Sequence, residues 1–225
     1  MRFHSSSAAS VGCLGYRQPK RGFTLVEILV SISIVAALMA SALLLVPKGM
    51  EMSRRSQCAS NLADLGALYQ LQRMEQPGRS RYDGAAILLA LRAESGAVRF
   101  GDEDKFLCPG DPQAIFPRSD AERERWSDVD LGNIPDGLCS YAARDFSGHP
   151  LGARGPRKEV LAMDRQGDDG RTPHHEGGLN VLYDDGAVKF LRRADLGLDS
   201  GAPIVVGAAS EHRELRSVAV RVGVD

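Results

Sequence analysis

The stretch KRGFTLVEILVSISIV, from Lys20 to Val35, opens the segment that decides the fold. It begins an apolar run from Phe23 to Val46 in which Glu27 is the single charged residue. At about 1.5 Å per residue, a helix of this length measures about 36 Å, and the hydrocarbon core of a bilayer is about 30 Å thick. The run therefore predicts one membrane-spanning helix.

Two other interpretations of the apolar run fit its composition less well. A helix in the core of a soluble protein has an amphipathic stripe, and this run has none. A secretory signal peptide has a shorter apolar region and then a cleavage site of the A-x-A type, which the segment SALLLVPKG, Ser41 to Gly49, matches poorly.

The charges of the chain are divided unevenly. The whole sequence has 28 Lys and Arg against 29 Asp and Glu, yet residues 1–22 contain four basic residues and no acidic one. A basic block before an apolar run is typical of the cytoplasmic flank of a membrane helix. The mildly acidic remainder argues against nucleic acid as a partner.

Glu27 needs a reason to lie inside an apolar run, since a carboxylate in the bilayer costs at least about 2.5–3.5 kcal/mol. A cut after Gly22 would make Phe23 the new amino terminus and place a positive amine at the membrane boundary. That amine would be a partner for Glu27, either in the same helix or on a neighbouring subunit. The order basic–Gly–Phe–Thr–Leu–Val–Glu thus predicts processing followed by assembly.

The segment RGFTLVEILVSISIVAAL, residues 21–38, resembles the amino-terminal signature of type IV prepilins and type II secretion pseudopilins. The resemblance implies that a prepilin peptidase cuts between Gly22 and Phe23 and N-methylates Phe23, and that Glu27 is the assembly glutamate. It implies other pilin-like subunits and the inner-membrane assembly machinery as partners. It also implies a single pass through the inner membrane, with the amino terminus cytoplasmic and the head periplasmic or extracellular.

The sequence after the apolar run predicts that the helix continues. We expect one helix from about Thr24 to Met74, bent near Pro47 and ended by Pro77 and Gly78. Beyond Pro47 an apolar face recurs at helical spacing, formed by Cys58, Leu62, Leu65 and Tyr69. The predicted organisation is a leader (1–22), a transmembrane half-helix (23–46), an amphipathic half-helix (47–76) and a globular head (77–225).

The head is predicted to be an α+β arrangement, an antiparallel sheet packed on the long helix. Its expected elements are a helix at 84–94, a short strand within 106–116, a strand at 158–164, a hairpin at 180–191 and a strand pair from 202–209 and 217–222. Asp185-Gly186 predicts a two-residue type I′ hairpin turn. The apolar residues around that turn form one set: Val181, Tyr183, Val188 and Phe190.

The segment HEGGLNVLYDDGAVKFL, residues 175–191, resembles the H-x9-DG ending of a large prepilin-processed family. Segments 57–69, 108–112, 139–143 and 160–164 agree with the same family, although Ala187 stands where histidine is frequent. This resemblance implies a pilin-like fold and location, and no biochemical mechanism.

One group of titratable residues has two interpretations: Asp164, His174, His175, Glu176 and Asp185. In the first they form a metal or catalytic cluster. In the second, which we favour, His175 braces the loop before the hairpin and donates a hydrogen bond to a backbone carbonyl or a carboxylate such as Asp164, while Asp185 makes the turn. The acids do not follow the spacing of an EF-hand loop. Asp164, Asp168 and Asp169 remain calcium candidates.

The cysteines predict one disulfide bridge in the head. Cys13 would leave with the leader, so the mature chain would have three cysteines in a compartment where disulfides persist. We predict a Cys108–Cys139 bridge, since both residues lie in loop or strand-edge settings, with Cys58 packed on the helix face. A Cys58–Cys108 bridge and three buried thiols are the alternatives.

The sequence contains no GxSxG, P-loop, HExxH or paired CxxC motif, so we predict neither an enzyme nor a cofactor. The expected function is that of a pseudopilin-like structural subunit, assembled into a type II secretion or type IV pilus-like filament. The alternative is a membrane-anchored extracytoplasmic protein that uses the motif only for export and binds a ligand or calcium with its head.

Overall fold

A computed structural model of the chain describes residues 22–75, 82–151, 158–165, 175–199 and 201–219. The chain divides into two compact units, Met1–Leu45 and Val46–Asp225. Helix α1 is Leu25–Glu75, and Pro47 lies inside it. Its large apolar side chains up to Val46 are all exposed in the isolated chain.

The second unit is an α+β head. Its helices are α2 (Ala85–Ala93), α3 (Asp120–Arg123) and α4 (Arg213–Arg216), with single 3₁₀ turns at Glu103–Phe106, Glu124–Trp126 and Arg193–Leu196. Its strands are β1 (Tyr141–Arg144), β2 (Val160–Asp164), β3 (Gly178–Tyr183), β4 (Val188–Arg192) and β5 (Val218–Ala219). All neighbours in the sheet are antiparallel, in the order β4-β3-β2-β1-β5. The predicted fold class is confirmed.

The sheet is covered on both faces, which explains why every residue of β2 and β3 is buried. One face packs against the outer half of α1 and against α2, in a core that includes Leu62, Leu65 and Leu182. The other face packs against α4 and the segment that contains Ile204, in a core that includes Val181, Met163, Ile204, Leu215 and Val218. Because strands buried on both faces read as continuous apolar runs, β2 and β3 lack the alternation of a one-sided sheet.

A glycine permits the close approach of α1 to β3. A Cβ built on Gly66 would lie 2.8 Å from both terminal methyl carbons of Leu182. A larger side chain at this position would push α1 away from the sheet, since a packed core does not absorb added volume without strain.

The β3–β4 turn differs from the predicted type I′ turn. It has three loop residues, because the Gly186 amide donates to the Tyr183 carbonyl (3.0 Å) and the Tyr183 amide donates to the Ala187 carbonyl (2.9 Å). Gly186 has φ 83° and Asp185 does not have positive φ. This is a type I turn followed by a left-handed glycine, the common three-residue hairpin.

The extra loop residue changes which face each apolar side chain occupies. Leu182 pairs with Val188, and Asn180 pairs with Phe190. Val188 and Phe190 therefore lie on the α1 side of the sheet. The prediction had placed them on the opposite face, together with Val181, and is wrong on this point. A shift of one residue in register sends every side chain of a strand to the opposite face.

Two further elements differ from the sequence expectations. Residues 106–116 form no strand; Phe106 ends a 3₁₀ turn and a series of turns follows. Pro109 and Pro112 lack the amide donors that a ladder needs. Residues 202–206 also form no strand, and β5 pairs with β1.

Candidate functional site

The predicted cleavage site lies directly before α1. Gly22, Phe23 and Thr24 have no helical or strand structure, and α1 begins at Leu25. The Phe23 side chain is 82% exposed. The Gly22–Phe23 peptide bond is thus in non-helical backbone.

Glu27 has a local role that the sequence analysis missed. The Thr24 amide donates to Glu27 Oε2 at 2.8 Å, the Thr24 hydroxyl donates to the same oxygen at 2.9 Å, and the Glu27 amide donates to Thr24 Oγ1 at 3.2 Å. This is a capping box, whose sequence signal is Thr-x-x-Glu. It holds the Glu27 carboxylate at the start of α1, against Thr24, the residue that follows Phe23.

The head contains a disulfide bridge between Cys58 and Cys108, fifty residues apart in the chain. The predicted Cys108–Cys139 bridge is wrong. Asn61, one turn after Cys58 on α1, donates from Nδ2 to the Leu107 carbonyl at 3.0 Å and so brings Cys108 against the helix. Cys139 is a buried free thiol that donates to the Tyr141 carbonyl at 3.5 Å.

His175 lies against this bridge, with its side chain fully buried. Its Nε2 is 3.3 Å from Cys108 Sγ and 3.7 Å from Asp164 Oδ2, and its Nδ1 is 3.0 Å from Glu51 Oε1. Burial holds the pKa of His175 below its usual value, against the opposing effect of Glu51. The imidazole is therefore neutral. Since a carboxylate only accepts, Nδ1 donates to Glu51 and Nε2 directs its lone pair towards the sulfur.

Asp164 completes the cluster at the end of β2. Its Oδ2 accepts from the Asn180 amide at 2.7 Å. Its Oδ1 is buried and takes no hydrogen bond from the part of the chain that the structure describes. Burial raises the pKa of Asp164 to about 7.

The other acids of the predicted group lie elsewhere. Asp185 is in the β3–β4 turn, paired with Lys158, whose hydrogen bond holds the pKa of Asp185 below its usual value. Glu176 is exposed, and its amide donates to Glu51. His174, Asp168 and Asp169 lie outside the described residues.

The sequence analysis grouped Asp164 with His175 and treated Cys108 apart, and the fold brings all three together. It missed Glu51, which contacts His175 across 124 residues of sequence. Glu51 lies seven residues before Cys58, two turns earlier on the same face of a helix. The seven-residue spacing could have indicated that Glu51 lies on the same face of α1 as Cys58.

Residues 17–43 match the family described as the prokaryotic N-terminal methylation motif. The chain has a prepilin-type amino terminus. The motif supports a pilin-type protein that is processed at its amino terminus. No curated protein and no solved structure matches the chain.

The membrane assignment has support from two sides. α1 is long and apolar enough to cross a membrane by its length and composition. The methylation motif covers the start of that same helix. An apolar helix that follows a prepilin-type motif fits a membrane-anchored protein.

Peptide mapping without reduction should yield one linked pair, containing Cys58 and Cys108, from the purified chain. Cys139 should react with alkylating reagents only after unfolding, because it is buried and burial raises its pKa to about 12. A linked Cys108–Cys139 peptide would contradict the structure. So would labelling of Cys139 in the folded chain.

Proposed function

We propose that the chain is a pseudopilin-like structural subunit. A prepilin peptidase cuts it between Gly22 and Phe23 and methylates the amine of Phe23. The processed chain then assembles through the first half of α1 into a type II secretion or type IV pilus-like filament. The observation that carries the proposal is the methylation-motif match over residues 17–43, with Glu27 in the first turn of α1.

The chemistry of Glu27 supports assembly through this segment. Its Oε2 accepts both hydrogen bonds from Thr24, and Oε1 accepts none from the described residues. A carboxylate in lipid is costly unless it is paired. The new amine of a neighbouring subunit, placed next to Oε1, would remove that cost, so helices gain by associating.

The side chains of the first half of α1 support the same conclusion. From Leu25 to Val46 they are exposed in the isolated chain and apolar apart from Glu27 and three serines. The hydroxyls of Ser31, Ser33 and Ser41 each donate to the carbonyl four residues earlier in the helix. The surface that remains suits lipid tails before assembly and neighbouring helices after it.

The proposal places the protein in the inner membrane with its amino terminus in the cytoplasm. The peptidase and other pilin-like subunits are its partners. The motif favours a structural subunit over an enzyme.

Intact-mass analysis of the membrane-extracted protein should give a chain that begins at N-methylated Phe23. The cells must contain an active prepilin peptidase, and Gly22→Val is the control that should keep its leader. Recovery of the wild-type chain with Met1 retained would refute the processing step.

Glu27→Ala should leave insertion and cleavage intact and reduce incorporation into sheared filaments by about tenfold or more, because one unpaired charge in lipid is worth a few kcal/mol. Thr24→Val is the matched control. It breaks the same capping box, at a cost of about 1 kcal/mol, and keeps the carboxylate.

If both variants lose incorporation equally, Glu27 acts only as a cap and the assembly contact is wrong. If the wild-type chain stays wholly in the membrane fraction after shearing, the protein is an anchored binding protein and not a filament subunit.

A further inference from the structure

The cluster around the disulfide has the composition of a metal site. Cys58 Sγ, Cys108 Sγ, a ring nitrogen of His175 and a carboxylate oxygen of Asp164 all lie within 4.8 Å of one another, and all four residues are buried. They come from α1, from the turn after Phe106, from the end of β2 and from the residue bridged to the start of β3.

The distances fit a tetrahedral ion. Around zinc, with bonds of about 2.0–2.3 Å, ligand atoms lie about 3.3–3.8 Å apart. His175 Nε2 is 3.3 Å from Cys108 Sγ and 3.7 Å from Asp164 Oδ2. The two sulfurs are bonded to each other and so are closer than this, and they separate to non-bonded contact when the bridge is reduced.

Glu51 supplies the support that a metal-binding histidine needs. Such a histidine usually donates its second ring N–H to a carboxylate, which fixes the ring and the tautomer. His175 Nδ1 is 3.0 Å from Glu51 Oε1, so Nε2 is the free ligand atom, and it faces Cys108.

Asp164 gives an independent indication that the cluster can hold a cation. The residue is 1% exposed, yet its Oδ1 takes no hydrogen bond from the described residues. A buried carboxylate oxygen without a partner is costly, and a cation beside it removes that cost.

We propose that the head binds one Zn²⁺ through Cys58, Cys108, His175 Nε2 and Asp164 when the Cys58–Cys108 bridge is reduced. Two thiolates and an imidazole select zinc over calcium, which prefers oxygen ligands. The bridge and the ion are then alternative cross-links of the same segments. The site belongs to the chain before its cysteines are oxidised, or after a dithiol has reduced them. It goes beyond the proposed filament role and does not depend on it.

The reaction balances with a dithiol as the reductant. The dithiol transfers two electrons and two protons to the Cys58–Cys108 bond and becomes a disulfide. Zinc then binds the two sulfurs and releases both thiol protons to solvent. Oxidation of the two thiolates by a disulfide reverses the process and releases the ion.

The test uses the full chain in detergent, with Cys13→Ser in every sample to remove the leader thiol. A phosphine reduces the bridge without adding thiol ligands, and Co²⁺ serves as the probe. The reduced chain should bind one Co²⁺, with the visible bands of tetrahedral cobalt and a thiolate charge-transfer band. Zinc should abolish both, and the oxidised chain should show neither.

Cys58→Ser should weaken cobalt binding by about tenfold or more and diminish the charge-transfer band. Cys139→Ala is the matched control and should bind as the parent does. Alkylation of the folded, reduced parent is a second measurement that needs no ligand variant: zinc should protect Cys58 and Cys108 from the reagent.

Three results would overturn the proposal. They are a reduced chain that takes up no cobalt, bound cobalt without thiolate charge transfer, and zinc that leaves Cys58 and Cys108 as reactive as before.

Discussion

The Cys58→Ala, Cys108→Ala double variant should unfold with a free energy about 4 kcal/mol below that of the oxidised wild-type chain, since the bridge closes a loop of about 50 residues in the unfolded state. Both cysteines are replaced so that neither partner of the bridge is left as an unpaired thiol. The bridge joins α1 to the turn after Phe106, so its loss removes the covalent link between these two segments.

Urea unfolding of the full chain in detergent measures the effect, with Trp126 as the probe. It is the single tryptophan of the sequence, it is fully buried in the head, and its Nε1–H donates to the Leu138 carbonyl at 2.9 Å. Its fluorescence therefore reports the head and not the membrane helix.

Cys139→Ala is the control, because it removes a buried thiol and no bridge. It should cost about 1 kcal/mol through the lost packing of one small side chain. If Cys139→Ala proved as costly as the double variant, Cys139 and not Cys58 would be the partner in the bridge.

Glu103→Gln should lower the free energy of unfolding by about 3 kcal/mol at neutral pH, because it leaves two arginines facing a neutral amide. The Glu103 side chain is fully buried, with Oε1 3.2 Å from Arg92 Nε and Oε2 2.9 Å from Arg123 Nη1. Its Oε2 also accepts from the Gly101 amide at 2.9 Å. The carboxylate thus ties α2 and α3 to the 3₁₀ turn between them.

The difference in the free energy of unfolding between the wild-type chain and Glu103→Gln should become smaller at acid pH. Burial alone would raise the pKa of Glu103, but the hydrogen bonds from Arg123 and from backbone amides, with the charge of Arg92, hold it below its usual value. The folded chain then binds the proton less readily than the unfolded chain. The stabilisation is present above the ordinary pKa of about 4.3 and is lost as the pH falls through the lower, folded pKa.

Glu124→Gln serves as the control for this experiment, because Glu124 is exposed on the neighbouring turn. Its effect should stay within about 0.5 kcal/mol at any pH. If Glu103→Gln lowered the free energy of unfolding equally at acid and neutral pH, the loss of stability would not come from the charge of Glu103.

Local sequence signals predicted much of the fold. The long α1, α2, β2 and the β3–β4 hairpin were all expected, and each depends on the composition or periodicity of one continuous segment. β1 was not expected, and β5 was assigned a different partner. Their pairing joins Ala143 to Ala219, and no local signal specifies contacts over that distance.

The β3–β4 hairpin shows what the local sequence could not predict, namely the number of residues in its loop. Asp185-Gly186 correctly marked the turn, yet it is compatible with both two and three loop residues. The packing of Leu182 and Val188 in the core shared with α1 accompanies the three-residue form. The pattern by itself would have put Val188 on the wrong face.

By itself, the sequence determined the prepilin-type terminus and the long apolar helix, because motif and hydropathy are properties of adjacent residues. The tertiary structure alone decided the Cys58–Cys108 pairing and the contact of His175 with Glu51, which span 50 and 124 residues. Each pairing depends on how the outer half of α1 docks on the sheet. That docking is set by the packing of many side chains, such as Leu182 against Gly66, and no single segment encodes it.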